Sequence, residues 1–201
     1  MLKKLNGIRL VRFEPEFHAA KLYEWYYSED YQEFFREYPQ CPSATELAQQ
    51  AIGRTFIIVK DVVNSQGKQS FPIGMITHMN VNEVSRSFEV GILIEKQFQK
   101  NSYSITALKI LLNWMFNSCN FYKAKMKIIA KNKRICDILE KFGTFREGGA
   151  NAVSKKDVFF NGSFHDVATY AMFKTDFKEL YIKDFEPRLE PHQDELLKRS
   201  A

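Results

Sequence analysis

A single glutamate interrupts an apolar stretch near the middle of the chain. The segment Phe88 to Ile94 alternates as a β-strand does, and Glu89 falls on the face opposite its apolar neighbours. A carboxylate in such a strand requires a partner or a function, because burying an unpaired charge is costly. Two interpretations remain open. Glu89 acts as a general base in proton transfer, or it pairs with Arg86 or a nearby lysine.

A polar turn without proline, Gln97 to Ser104, follows this strand and leads into a long amphipathic helix predicted over Ser104 to Asn117. The N–H groups at the start of a helix lack intrahelical partners, and the helix dipole is positive there. The turn is therefore suited to an anion, best a phosphate or pyrophosphate. The apolar residues of the helix recur at three- and four-residue spacing: Ile105, Leu108, Leu111, Leu112, Met115, Phe116 and Cys119.

A strand and a second helix are predicted after the long helix. Residues Ala124 to Ala130 alternate between two faces, one of which carries Lys125 and Lys127. The second helix is predicted over Lys133 to Lys141, and Gly143 suits the left-handed position that ends it. The resulting order is strand, turn, helix, strand, helix.

The order of several short motifs resembles the acetyl-CoA-binding core of the GNAT acyltransferases, closest to the branch that acetylates protein N-termini, including those of ribosomal proteins. The family's pyrophosphate loop is Gln/Arg-x-x-Gly-x-Gly/Ala, and this chain has serines at both small positions. The resemblance spans roughly Ile8 to Phe177. The matching residues, in chain order, are Gln99-x-x-Ser102-x-Ser104, Asn132, Leu139-Glu140-Lys141, Gly143, Glu147-Gly148 and Tyr170 within Asp166 to Met172.

The resemblance implies an α/β fold with a mixed, mostly antiparallel sheet of about seven strands flanked by helices. It also implies an acetyl-CoA-dependent N-acetyltransferase that acts on an amine, such as a protein N-terminus, in a direct transfer to which Glu89 contributes as the base. The implied cofactor-binding residues are Ile92 and Ile94 on the fourth strand, the loop residues Gln99, Lys100, Asn101, Ser102, Tyr103 and Ser104, and Asn132.

The resemblance places the acceptor amine beside the helices that follow the first strand. Trp25, Tyr31 and Phe35 are the candidate acceptor-binding residues there. The alternative is that these aromatic residues belong to the core, since aromatics at helical spacing usually pack inward. Asn132 has an alternative as well, because a residue directly before Lys133 to Lys141 can serve as the helix N-cap.

Some positions depart from the family pattern. Ile135 and Leu139 occupy the places where the family usually has a serine or tyrosine that gives a proton to the thiolate, and neither can donate. Ser102 and Ser104 add side chains to the pyrophosphate loop. These departures motivate a second hypothesis, a catalytically inactive GNAT-fold subunit of a larger assembly such as a phage virion component.

Composition places the chain among soluble globular proteins. The 201 residues are 45% hydrophobic and 26% charged, with a formal net charge of +5. That charge suits an anionic cofactor but is too diffuse to indicate nucleic acid. We expect a GNAT-like domain over residues 1–177 and an extension over 178–201. We also expect no membrane-spanning segment, no signal peptide and a cytoplasmic location. A homo-oligomer is one of the assemblies that we consider. Three cysteines without metal-ligand spacing indicate buried, reduced thiols and no metal site.

The remaining elements are predicted from local signals. Ile8 to Phe13 reads as a strand, and 16–27 and 28–36 read as helices. Ser43-Ala44-Thr45-Glu46 is a capping box that opens a third helix, which continues to Gly53. Strands at 54–63 and 71–81 form a hairpin, and Asn161-Gly162 indicates a second hairpin near the end of the sheet.

Overall fold

The fold is built on one eight-stranded sheet. The computed structural model describes residues 4–28, 43–65, 67–99, 101–160 and 162–185. The strands are hydrogen-bonded in the order β1-β2-β3-β4-β5-β8-β6, with β7 also paired to β8. Their bounds are Ile8–Arg12 for β1, Thr55–Asn64 for β2, Gly67–Asn82 for β3, Ser87–Ile94 for β4, Lys123–Ile129 for β5, Phe145–Arg146 for β6, Ser154–Phe160 for β7 and Ser163–Phe173 for β8.

Five α-helices lie within the described ranges. They are α1 (Pro15–Tyr27), α2 (Ala44–Ala51), α3 (Tyr103–Asn117), α4 (Lys133–Lys141) and α5 (Lys174–Tyr181), with 3-10 turns at Lys96–Phe98 and Ile182–Phe185. Local sequence explains their ends. The hydroxyl of Ser43 accepts a hydrogen bond from the Glu46 N–H at 3.3 Å, which caps α2. Gly143 has φ of 83° directly after α4, as the sequence indicated.

The sheet is mixed but mostly antiparallel, and this confirms the predicted fold class. All the strand pairs run antiparallel except β4 with β5, which are parallel. A parallel pair requires a crossover connection, and α3 supplies it. The sheet has one strand more than expected because the two residues of β6 pair with Ala171 and Tyr170 on β8.

Two hydrophobic cores lie on opposite faces of the sheet. On one face, α3, α4 and α5 pack against the strands through residues such as Leu111, Phe116 and Phe177. On the other face, α1 and α2 cover the N-terminal strands, with Leu22 and Leu47 in the second core. The second core contains residues of β2, β3 and β4 but none of β5 or β8.

The end of the described chain packs on the first core. Phe177 is fully buried and Phe185 is 7% exposed, and both belong to that core. The boundary that we expected after residue 177 therefore falls inside α5. Residues 186–201 lie outside the described part of the chain.

The cysteines differ in part from the expectation of buried thiols. Cys136 is buried, but Cys119 is exposed because α3 ends at Asn117 and the chain turns outward before β5. Cys41 lies outside the described residues.

None of the helices in the described residues is both long enough and apolar enough to span a membrane.

Candidate active site

The sheet opens between its two parallel strands. β4 and β5 pair only at Ser87 with Lys123, Phe88 with Ala124 and Glu89 with Lys125. β5 continues to pair with β8 along its whole length, whereas β4 continues to Ile94 without pairing to β5. Among the described residues, no strand therefore pairs with the edge of β4 from Val90 to Ile94 that faces β5, and backbone polar groups there can hydrogen-bond to a ligand.

Ile92 lies on this open stretch with its side chain 39% exposed, although Phe88, Val90 and Ile94 on the same face are buried. This exposure sets Ile92 apart from the other apolar residues of the face. It results from the divergence of the two strands, which removes the neighbour that would cover Ile92.

The N-terminus of α3 lies after the end of β4. The Thr106 N–H donates to the Ser102 carbonyl at 2.9 Å, so the N–H groups of Tyr103, Ser104 and Ile105 precede the first helical hydrogen bond. The Ser102 side chain makes no capping bond to them. This end of α3 consequently presents backbone donors and the positive end of the helix dipole, as the turn sequence predicted.

Side-chain amides hold the loop between β4 and α3 in place. The Gln99 amide donates to the Ile94 carbonyl at 3.0 Å, and the Asn101 amide donates to the Phe98 and Gln99 carbonyls at 3.4 and 3.3 Å. Lys60 on β2 lies with its Nζ 4.8 Å from the centre of the Tyr103 ring. Lys100 lies outside the described residues.

Glu89 forms an ion pair across the opening. Its Oε1 lies 2.7 Å from Nζ of Lys127 on β5, and the Glu89 side chain is only 12% exposed. This is the pairing alternative that the sequence left open, with a lysine rather than Arg86 as the partner. The ion pair fixes the position of the carboxylate at the start of the opening.

Asn132 caps α4. Its Oδ1 accepts a hydrogen bond from the Ile135 N–H at 3.4 Å, which agrees with the N-cap alternative. Leu139 is buried and Ile135 packs against the first core, so these two positions provide packing and no proton donor.

Tyr170 lies beside α4, where it approaches Cys136. Its hydroxyl donates to Glu140 Oε1 at 2.9 Å, and its ring is fully buried. Burial above all, with the neighbouring Cys136 thiol and Glu140 carboxylate, raises the pKa of Tyr170. The hydroxyl proton of Tyr170 is thus engaged in a hydrogen bond to Glu140.

The aromatic residues expected at the acceptor side have different outcomes. Trp25 is 1% exposed in the second core, so its ring is a packing element and not part of an exposed cleft surface. This agrees with the core alternative, because Leu22 and Trp25 lie three residues apart on α1 and both belong to the second core. Tyr31 and Phe35 lie outside the described residues.

His78 also serves packing. Its ring centre lies 6.3 Å from that of Phe56 and 6.1 Å from that of Trp114 on α3. Burial lowers the pKa of His78, which favours the neutral ring.

Sequence reasoning did not select the lysines of β5 as site residues. The strand alternation placed Lys125 and Lys127 on one face, which was the available signal. Their relation to Glu89 depends on the β4–β5 register, in which Glu89 lies opposite Lys125. A register between strands separated by a helix is not readable from local sequence.

Two known proteins are similar in sequence to part of this chain. YdaF of Bacillus subtilis (strain 168), provisionally named a ribosomal N-acetyltransferase, is 25% identical over 105 residues, which are 52% of this chain and 55% of YdaF. The spermidine N(1)-acetyltransferase of Vibrio cholerae is 25% identical over 95 residues, or 47% of this chain and 53% of that protein. The chain thus matches little more than half the length of these relatives.

Solved structures share the fold. The spermidine N-acetyltransferase of Vibrio cholerae in complex with CoA and spermine superimposes with a TM-score of 0.72 at 20% identity, covering 85% of this chain and 98% of that one. A GNAT-family acetyltransferase from Bacillus anthracis superimposes with a TM-score of 0.70 at 16% identity, covering 87% and 99%. The sequence model of the acetyltransferase (GNAT) domain matches residues 8–144. This chain therefore belongs to the GNAT acetyltransferase family.

Proposed function

We propose that this protein is an N-acetyltransferase that transfers an acetyl group from acetyl-CoA to an amine. The observation that carries the proposal is the opening between β4 and β5 next to the uncapped N-terminus of α3. The family membership and the relatives named above support the same reaction. None of those relatives is described as a non-catalytic assembly subunit, and we do not propose that role.

The described residues fit acetyl-CoA in two respects. The unpaired edge of β4, Val90 to Ile94, offers backbone donors and acceptors of the kind that an amide-containing pantetheine arm requires. The N–H groups at the start of α3, with the Ser102 hydroxyl beside them, are suited to the pyrophosphate. Bound there, acetyl-CoA supplies an activated acyl group as a thioester.

We assign the role of the base to Glu89, and its position in the sheet supports this assignment. Glu89 is the last residue of β4 that pairs with β5, at the point where these two strands begin to diverge. In the transfer, the amine nitrogen forms a bond to the acetyl carbon while the carbon–sulfur bond breaks, and CoA leaves as the thiolate. The proton that the amine loses goes to the Glu89 carboxylate, directly or through water. We assign no covalent intermediate to the protein.

Gln99 contributes by holding the loop. Its hydrogen bond to the Ile94 carbonyl connects the end of β4 to the turn before α3. This contact fixes the proposed pantetheine site relative to the proposed pyrophosphate site, so we assign Gln99 a positioning role. The side-chain oxygen of Asn132 accepts one hydrogen bond as a helix cap, and its amide N–H groups are the donors that it can offer to the pantetheine arm.

The acceptor is an amine. One relative is named for ribosomal acetylation and another for spermidine, so the two differ in acceptor class. The proposed function therefore includes two acceptor classes, a protein N-terminus and a small amine. We further propose that the protein acts in the cytoplasm, where acetyl-CoA is supplied.

Calorimetric titration with acetyl-CoA, followed by a thiol-release assay with amine acceptors, tests the proposal. We expect micromolar binding to the wild-type protein. Ser102→Trp places a bulky ring at the N-terminus of α3 and should weaken binding at least tenfold.

Ser118→Trp is the matched control, since it makes the same change at the exposed C-terminal end of the same helix. It should bind as the wild type does. Equal binding by the two variants would show that the cofactor does not use the α3 N-terminus. No binding to the wild type at millimolar acetyl-CoA would refute the proposed function.

A further inference from the structure

Three lysines line one face of β5. Lys123, Lys125 and Lys127 alternate with Ala124 and Met126, which lie in the core against α3, so the lysines point to the opposite face. This is the face that carries Glu89, because Glu89 pairs with Lys127. The proposed base and the three lysines therefore share one surface.

Carboxylates pair with the two outer lysines. Lys127 pairs with Glu89, and Lys123 pairs with Glu147, which follows β6. Lys125 lies between them, and within the described ranges of the chain its side chain makes neither a hydrogen bond nor an ion pair. Its neighbour on β8 is Ala171, which is fully buried and offers no charge.

Lys125 is also in register with Glu89 at the last pair before the strands diverge. Neighbouring strands are about 4.8 Å apart. An amine whose proton goes to Glu89 would thus have its nearby substituents within reach of the Lys125 ammonium group. Among the described residues, these three lysines and the two glutamates paired with them sum to one positive charge. Lys125 is partly buried, where charges interact more strongly than in water.

We propose that the acceptor carries an anionic group, such as a carboxylate, a few bonds from its reacting amine, and that Lys125 binds this group. The proposal rests on the proposed N-acetyltransferase function and specifies its acceptor class. A polycationic amine such as spermidine is disfavoured at this surface, because it would place like charges next to Lys125. Either an amino-acid-like small molecule or a peptide with an acidic residue near its N-terminus has the required chemistry.

Matched acceptors that differ by one charge test the proposal. The small-molecule arm compares 4-aminobutyrate with 4-aminobutanamide, and the peptide arm compares C-amidated Ala-Asp-Ala with Ala-Asn-Ala. We expect kcat/KM for the acidic member to exceed that of its neutral partner at least tenfold in one arm, and spermidine to react more slowly than that acidic member. The arm that shows the preference identifies the source of the anionic group.

Substitution of Lys125 must remove this preference. We expect Lys125→Gln to lower kcat/KM for the acidic acceptor at least tenfold through KM, and Lys125→Arg to restore most of it. Lys178→Gln, which removes the same charge from an exposed position on α5, is the matched control and should leave the preference intact. Thermal unfolding of each variant verifies that it is folded.

Two outcomes overturn the inference. Equal use of acidic and neutral acceptors by the wild-type protein would do so, as would an unchanged preference in Lys125→Gln. Calorimetry on the same preparation separates this failure from that of the proposed function. Retained acetyl-CoA binding without a charge preference rejects only the acceptor class, whereas absent acetyl-CoA binding rejects both.

Discussion

Glu89 and Lys127 form an ion pair of 2.7 Å across the strands β4 and β5, just where these strands stop pairing. The contact joins the two sides of the opening on the face opposite α3. It holds the Glu89 carboxylate at the start of the opening, and the same face presents Lys125. The pair therefore links the fold to the proposed chemistry, and its loss should affect acetyl transfer more than it affects cofactor binding.

Glu89→Gln should lower kcat for acetyl transfer by about 100-fold, because a positioned base typically contributes at least that factor. The dissociation constant of acetyl-CoA should change less than about threefold, since the proposed cofactor contacts are backbone groups of β4 and α3. Stopped-flow thiol release and calorimetry measure the two quantities. Glu147→Gln is the control, because it removes a second carboxylate that pairs with a β5 lysine. Equal rates for the two variants would exclude Glu89 as the base.

Gln99→Ala should weaken acetyl-CoA binding about fivefold. The substitution removes the hydrogen bond to the Ile94 carbonyl, whose net contribution is about 1 kcal/mol, and loosens the loop before α3. Calorimetric titration measures the effect. Gln97→Ala serves as the control, since Gln97 is exposed in the same loop and its amide donates to the Glu95 side chain rather than to the backbone of β4. An unchanged affinity in Gln99→Ala would show that the loop does not depend on this contact.

Asn132→Ala should lower the free energy of unfolding by about 1 kcal/mol, because α4 loses its N-cap. Asn132→Asp retains a capping oxygen and should be nearly as stable as the wild type. Urea denaturation followed by circular dichroism measures both variants. If Asn132→Ala is as stable as the wild type but binds acetyl-CoA much more weakly, the residue serves the cofactor and not the helix.

Asp61 on β2 should contribute to the stability of the folded protein, and this contribution should be lost at acidic pH. Lys4, Ser70, Arg9 and Lys68 surround its carboxylate, and hydrogen bonds from them hold the pKa of Asp61 well below its usual range. A lowered pKa in the folded state stabilises the protein above the unfolded value of about 3.9, and this stabilisation is lost as the pH falls further.

The melting temperature of the wild-type protein should therefore fall steeply below about pH 4. The melting temperature of Asp61→Asn should be lower than that of the wild type at neutral pH, but it should fall less below about pH 4. Differential scanning calorimetry from pH 2 to pH 7 provides the comparison. Asp184→Asn is the control, since Asp184 is partly exposed and pairs with one lysine, Lys109. Parallel pH profiles for wild-type protein and Asp61→Asn would contradict this assignment.

Local signals in the sequence determined much of the fold. The bounds of α4, the cap at Ser43 and the left-handed Gly143 follow from side chains within a few residues of each other, and the structure confirms them. The alternation of β4 placed Glu89 on the face away from the first core for the same reason. Interactions of this range act within one element and require no tertiary information.

The tertiary structure decided which residues meet. Glu89 and Lys127 are separated by a strand end, a loop and the whole of α3, so their pairing depends on the register of two strands that local sequence does not specify. The burial of Trp25 and the exposure of Cys119 depend likewise on what packs against each element. The sequence by itself thus determined the elements and the candidate base. The divergence of β4 from β5, which creates the opening, arises only when β5 continues to pair with β8 while β4 follows β3.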